Sequence, residues 1–138
     1  MLGEIVGEWR GKNVSQKMLP SEVSGPPRFE VTGEASGTIL GIEATLMVTY
    51  QGTVRPDGLI YGECQNQGFI MTKDGDMATF TASGLGRFTG QGQATSWRGP
   101  IYHQTASQKL ARLNEVVIVY EWDIDENGNI EGTFWEWK

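Results

Sequence analysis

The stretch TVRPDGLIYGECQNQGFIMTKDGDMATFTASGLGRF, residues 53–88, decides the fold. Apolar and polar residues alternate around two turn signals, Arg55-Pro56-Asp57-Gly58 and Lys73-Asp74-Gly75-Asp76. A Pro-Asp or Lys-Asp pair followed by Gly suits a type I turn whose glycine takes the left-handed conformation and closes a G1 bulge. The spacing predicts three antiparallel strands, with Arg55 opposite Leu59 and Thr72 opposite Asp76. Counting back from the first turn sets Tyr50 opposite Cys64, Val48 opposite Asn66 and Leu46 opposite Gly68. Counting from the second sets Ile70 opposite Ala78, Gly68 opposite Phe80, Cys64 opposite Gly84 and Ile60 opposite Phe88.

Outward from this stretch the pattern continues. Ile42 to Val54 has period two, with Ile42, Ala44, Leu46, Val48 and Tyr50 on one face. Arg28 to Leu40 reads as a strand through Phe29, Val31, Gly33 and Ala35, and Gly3 to Leu19 as a longer, Gly-interrupted one through Val6, Trp9, Val14 and Met18. Pro20 to Pro27 is a loop. Downstream, a two-residue Gly90-Gln91 turn sets Gly84 opposite Trp97 and Ala78 opposite His103, within a strand from Gln93 to Gln104. Ser107 to Asn114 is a turn or so of helix, carrying Leu110 and Leu113. Glu115 to Asp125 and Asn129 to Trp137 form the last hairpin, around Glu126-Asn127-Gly128. Strands joined by short links predict an all-β fold: a single eight-stranded antiparallel meander barrel over residues 1–138. Closure removes the unpaired edges of such a sheet.

Composition narrows the function classes. A formal charge of −6, with no basic cluster, argues against nucleic acid as a partner. The 19 glycines have no triplet period, so they mark turns, bulges and close approaches inside strands. Cys64 is the only cysteine, which excludes an intrachain disulfide and a Cys-based zinc site. The start Met1-Leu2-Gly3-Glu4 lacks a signal-peptide pattern, and the longest apolar run, Val116 to Tyr120, is too short to cross a bilayer. The expectation is a cytoplasmic protein with no membrane partner and no cofactor.

The hairpins agree on faces. One face collects Ile42, Leu46, Val48, Tyr50, Ile60, Ile70, Phe80, Phe88, Trp97 and Ile101, with large rings tending to sit opposite glycine. The other collects Thr45, Thr49, Gln51, Glu63, Gln65, Gln67, Thr79, Thr81, Ser83 and Arg87. The first is the barrel interior and the second its solvated wall. In the last hairpin, pairing Asp125 with Asn129 turns Trp122, opposite Gly132, and Tyr120, opposite Phe134, inward. Val117, Val119, Trp135 and Trp137 are then left outside as the expected contact of a homo-oligomer. A type I′ turn at Asn127-Gly128 would instead bring both Trp inside.

The interior polar groups on this register are Tyr50, Cys64, Asn66, His103 and Tyr120, among the rings of Phe80, Trp97 and Trp122. Gly52, Gly62, Gly68, Ala78, Ala82, Gly84 and Gly99 leave either an open lumen or room for rings to fill it. The first outcome gives a pocket for a small, largely apolar ligand, bound by Cys64, Asn66, Phe80, Trp97, Tyr120 and Trp122. The second gives a packed core. His103, the only histidine, could serve as acid or base or be structural, and Tyr50 could orient a ligand oxygen or bond within the core. Cys64 has no basic neighbour to activate it. Glu63 points outward, diagonal to Arg87, as an expected surface ion pair. The cluster Asp123, Asp125 and Glu126 lacks calcium-loop spacing, and Gly84-x-Gly86 lacks the following helix of a dinucleotide fingerprint. No metal site is expected.

The run GLGRFTGQGQATSWRG (residues 84–99), with YGECQNQG, TKDGDMATF and QTASQKLARLN, resembles the small bacterial proteins grouped with the allene oxide cyclase barrel. The likeness runs from about Arg28 onward and rests on strand pattern and Gly placement. It implies an eight-stranded, often oligomeric barrel whose lumen holds an apolar ligand, shaping it with few polar groups. No local motif aligns with the cyclases' functional residues, so none is carried over. Three functions follow in order: a small-molecule-binding barrel, a cyclase or isomerase with Tyr50 or His103 moving a proton, and a structural oligomer with no ligand.

Overall fold

Tight turns set the architecture. The computed structural model describes residues 1–138. Three of its hairpins use the three-residue turn expected from Pro56-Asp57-Gly58, Lys73-Asp74-Gly75 and Glu126-Asn127-Gly128, with Gly58, Gly75 and Gly128 at φ 85°, 91° and 83°. Arg55 N donates to Leu59 O (2.7 Å), Thr72 N to Asp76 O (2.8 Å) and Asp125 N to Asn129 O (2.9 Å). A fourth turn, Leu40-Gly41, holds both residues at positive φ, as a type I′ hairpin requires. The strands are β1 (Leu2–Leu19), β2 (Arg28–Ile39), β3 (Ile42–Val54), β4 (Ile60–Thr72), β5 (Met77–Phe88), β6 (Thr95–Gln104), β7 (Val117–Ile124) and β8 (Asn129–Trp137). They close in sequence order, β8 pairing back onto β1, into an all-antiparallel barrel.

The expected registers hold near the turns and shift further along. Gln51 faces Glu63 as counted, but beyond it Val48 faces Gly68 and Leu46 faces Ile70. On the other side of β4, Gly68 faces Phe80 as counted, whereas Cys64 faces Ala82 and Ile60 faces Gly86. Both shifts come from one bulge at Gln65–Gln67, where Asn66 adopts φ 56° and the residues are exposed. Asn66 is therefore outside the barrel, correcting its expected place opposite Val48. The Gly90-Gln91 turn is also corrected. The loop runs from Thr89 to Ala94, with Gly90 and Gly92 both at positive φ, and Trp97 faces Gly86 while His103 faces Phe80. Phe88, expected inside, ends its strand about half exposed.

Each slip is two residues, so the inward and outward faces survive. Trp9, Leu46, Ile60, Ile70, Phe80, Trp97, Ile101, Trp122 and Phe134 form the core. The single short helical piece, a 3₁₀ turn at Ala111–Asn114, plugs one end of the barrel with Leu110 and Leu113. The last hairpin keeps Trp122 opposite Gly132 and Val119 opposite Trp135, so Trp135 and Trp137 stay on the outer wall.

Rings lie flat over glycines of the neighbouring strand. A Cβ on Gly68 would overlap the Phe80 ring, and one on Gly132 would overlap Trp122. Both rings are buried on every other side, so neither can move aside without repacking. Gly132→Ala is expected to destabilise by roughly 1–3 kcal/mol through overpacking. Trp122→Leu in the same chain should relieve much of that cost, measured as a double-mutant cycle in urea; strictly additive losses would show that the ring-on-glycine contact is not the cause.

Candidate functional site

The bulge in β4 positions a cavity. Tyr50 of β3, Cys64 of β4 and Ala82 and Ser83 of β5 sit where the ladders around the bulge are interrupted, and Ser83 has no ladder partner on β6. Here the lumen holds a space of about 50 Å³ lined by Val48, Tyr50, Cys64, Phe80, Ala82, Trp97, Ile101, Tyr120, Trp122 and Phe134, with Gly62, Glu63 and Ser83 completing it. Glu63 and Ser83 are partly exposed, so this side of the cavity adjoins the outer wall. Between an open and a packed lumen, the outcome lies close to packed. A cavity known to take benzene is about 150 Å³, and a water's share of liquid is about 30 Å³.

Its walls are rings: Tyr50 meets Trp97 edge-on at 5.4 Å, and Trp122 stacks on Phe134 at 6.3 Å. The polar groups are few. Tyr120 OH donates to Ser83 O at 3.0 Å, tying β7 across β6 to β5 where the ladder is open. Cys64 Sγ donates weakly to Phe80 O at 3.7 Å, and Trp97 Nε1 donates to Thr95 Oγ1 at 3.1 Å. Among these interior groups Tyr50 alone makes no side-chain hydrogen bond. Burial, reinforced by the neighbouring Tyr120, pushes the Tyr50 phenol far above the usual tyrosine range. Burial does the same for Tyr120, and it also raises the Cys64 thiol. The cavity therefore offers neutral hydroxyls and a neutral thiol, with no activated nucleophile.

His103 lies apart from the cavity. Its ring packs against Phe80 at 5.4 Å and Phe134 at 5.9 Å, and those two rings face the cavity while His103 does not. It is buried, and neither ring nitrogen has a hydrogen-bond partner. Burial pushes its pKa down to about 4, so it is neutral at ordinary pH. Tyr50, Cys64, Phe80, Trp97, Tyr120 and Trp122 are thus brought together, whereas His103 and Asn66 are not. Sequence reasoning missed Ser83 and Glu63 as lining groups because their position depends on the bulge. Glu63 faces Ser83 and accepts a hydrogen bond from Gln65 Nε2 at 3.1 Å, in place of the expected pairing with Arg87. Asp125 uses its carboxylate to cap the backbone of Asn127 and Asn129, and no group of three or more His, Cys, Asp or Glu side chains is placed to hold a metal ion. No helix is long and apolar enough to cross a membrane.

No protein-family model matches the chain, and no curated protein matches it in sequence. Solved structures do match in fold. A conserved protein of unknown function from Rhodopseudomonas palustris superposes with a TM-score of 0.76 at 13% identity, over 99% of each chain. A protein of unknown function from Clostridium acetobutylicum gives 0.80 at 14%, over 98% of each. A β-barrel-like protein from Acinetobacter baumannii gives 0.79 at 13%, over 99% of this chain and 96% of that one. At such identities the likeness shows the barrel alone.

The buried imidazole makes stability depend on pH. Its folded pKa lies below the ordinary value of 6.5, so the unfolded chain binds the proton more readily. The stability it contributes is complete above pH 6.5 and declines as pH falls toward 4, by on the order of 3 kcal/mol. His103→Phe should flatten that part of the urea-midpoint profile while leaving neutral-pH stability intact. An unchanged slope between pH 6.5 and 4 would assign the acid sensitivity to other groups.

Proposed function

We propose that the barrel is a small-molecule-binding module. The site takes the compact, largely apolar end of a molecule carrying one hydrogen-bond acceptor. The observation that supports this reading is the ring-walled cavity with the unengaged Tyr50 hydroxyl at its side. A phenol is protonated at neutral pH and is a donor, and one facing an apolar cavity gains by finding an acceptor such as a carbonyl or ether oxygen. Tyr120 has spent its proton on Ser83 and retains lone pairs that can accept. At about 50 Å³ the space admits a few heavy atoms. The rest of a longer ligand would displace the half-buried Tyr50 ring.

The same groups favour binding over proton transfer. Abstraction needs a base with a pKa near the working pH, and both tyrosines are held far above it. His103 is screened by Phe80 and Phe134, and the Glu63 carboxylate is engaged with Gln65. The likeness to the allene oxide cyclase barrel group supports a ligand in the lumen; cyclase chemistry would need a base that this cavity does not present.

Trp97 and Trp122 in the wall make intrinsic fluorescence the readout, across a panel of short apolar ketones, ethers and matched hydrocarbons. Oxygen-bearing compounds should bind more tightly than their hydrocarbons. Ala82→Phe should fill the space and weaken binding at least tenfold, and Tyr50→Phe should weaken it about fivefold, the equivalent of roughly 1 kcal/mol. A folded Ala82→Phe variant that binds as the unaltered protein does would place the ligand elsewhere.

A further inference from the structure

We infer that the outer face of β7, β8 and β1 is a dimer interface, covered by a second copy of this chain. Two rows of apolar side chains cross these strands side by side. Val117 pairs with Trp137 and Trp137 with Leu2; Val119 pairs with Trp135 and Trp135 with Ile5. Pro100, opposite Val119 on β6, and Tyr102 beyond it continue both rows. The sequence pattern alone picks out four of these residues. The β1 and β6 members become visible only once the barrel is closed.

Strand composition points the same way. A strand with one face in the core and one in water alternates, whereas one covered on both faces reads as a continuous apolar run. Val116-Val117-Ile118-Val119-Tyr120 is such a run, and Phe134-Trp135-Glu136-Trp137 is nearly one. Ile118, Trp122 and Phe134 already fill the interior side, so the outer residues pair only with one another.

Area and charge select the occupant. Leu2, Ile5, Tyr102, Val117 and Trp137 are each about half exposed. With two tryptophans and a tyrosine, the patch presents on the order of 500 Å² of apolar surface. One partner of a standard interface contributes about 800 Å², of which about 65% is apolar in homodimers. The two quantities match. The border carries both signs at both ends, Arg98 with Glu121 at 3.1 Å and Arg112 with Glu4 at 3.3 Å. A two-fold axis through such a border avoids setting charges of a single sign against each other. A lipid surface fits poorly, because a chain of net charge −6 is repelled by anionic headgroups. The other apolar area, Met47, Phe69, Met71 and Met77 on β3–β5, has fewer members, its two rows end at Thr45 and Thr79, and it serves as the internal control.

Sedimentation velocity and light scattering test the inference. The unaltered protein should show twice the 15.2 kDa chain mass at micromolar concentration. Trp137→Glu and, independently, Ile5→Lys should halve the mass with the circular dichroism of the barrel retained, while Phe69→Glu should leave it unchanged. Two variants on different strands keep the test valid if one fails to fold. A monomer at every concentration up to the millimolar range would overturn the proposal. So would a dimer that survives both substitutions, a dimer broken by Phe69→Glu, or a monomer that co-sediments with phosphatidylcholine vesicles.

Discussion

Everything inside this barrel depends on large rings lying over glycines of the adjacent strand. Eight strands enclose a lumen of limited width, and rings projecting into it from neighbouring strands would collide if every facing position carried a side chain. Placing Gly68 beside Phe80, Gly132 beside Trp122 and Gly86 beside Trp97 lets each ring spread over backbone. That arrangement has two consequences. The rings fill most of the lumen, and glycine's low strand propensity is offset by the ring that covers it. A barrel packed this way has little lumen left, which is why the remaining space is about 50 Å³ and not a channel.

What space remains is created by an irregularity. Two extra residues in β4 push Gln65, Asn66 and Gln67 outward and leave Tyr50 without a partner on β4, while on the next ladder Ser83 has none on β6. Tyr120 then crosses behind Gly99 and Pro100 to bond the free Ser83 carbonyl, and a Cβ on Gly84 would overlap its hydroxyl. The local loss of ladder is thus repaired by a side chain, and the repair leaves a gap in the rings on the side nearest the wall. Bulges recur beside binding sites because they re-aim side chains and interrupt pairing together. Here both effects act on the same few residues.

This explains how much could be read in advance. Three turns were legible because Pro-Asp-Gly, Lys-Asp-Gly and Glu-Asn-Gly each contain the glycine that a left-handed position demands. The faces were legible because every register error is a two-residue error, and strand side chains repeat with period two. Hence Tyr50, Cys64, Trp97, Tyr120 and Trp122 were assigned inward correctly although several of their partners were not. The bulge was illegible. Gln65-Asn66-Gln67 contains no Gly or Pro, and the only cue is that Asn tolerates positive φ better than most residues. The Thr89–Ala94 loop was under-read for a related reason, since either of its glycines can serve a shorter turn.

Polarity is distributed differently on the two faces of β7 and β8. Inward, the few polar groups are uncharged: phenols held protonated, a thiol held protonated and an imidazole held neutral. Burying any of them as an ion would cost several kcal/mol without a partner, and no partner is present. The cavity is therefore lined by neutral donors and acceptors among aromatic rings. Outward, the arrangement is the opposite, an apolar centre bounded by Arg98, Glu121, Glu4 and Arg112. Trp122 and Trp135, three residues apart in the pairing of one hairpin, therefore act in opposite environments. The former closes the lumen, and the latter lies on the outer wall between Val119 and Ile5.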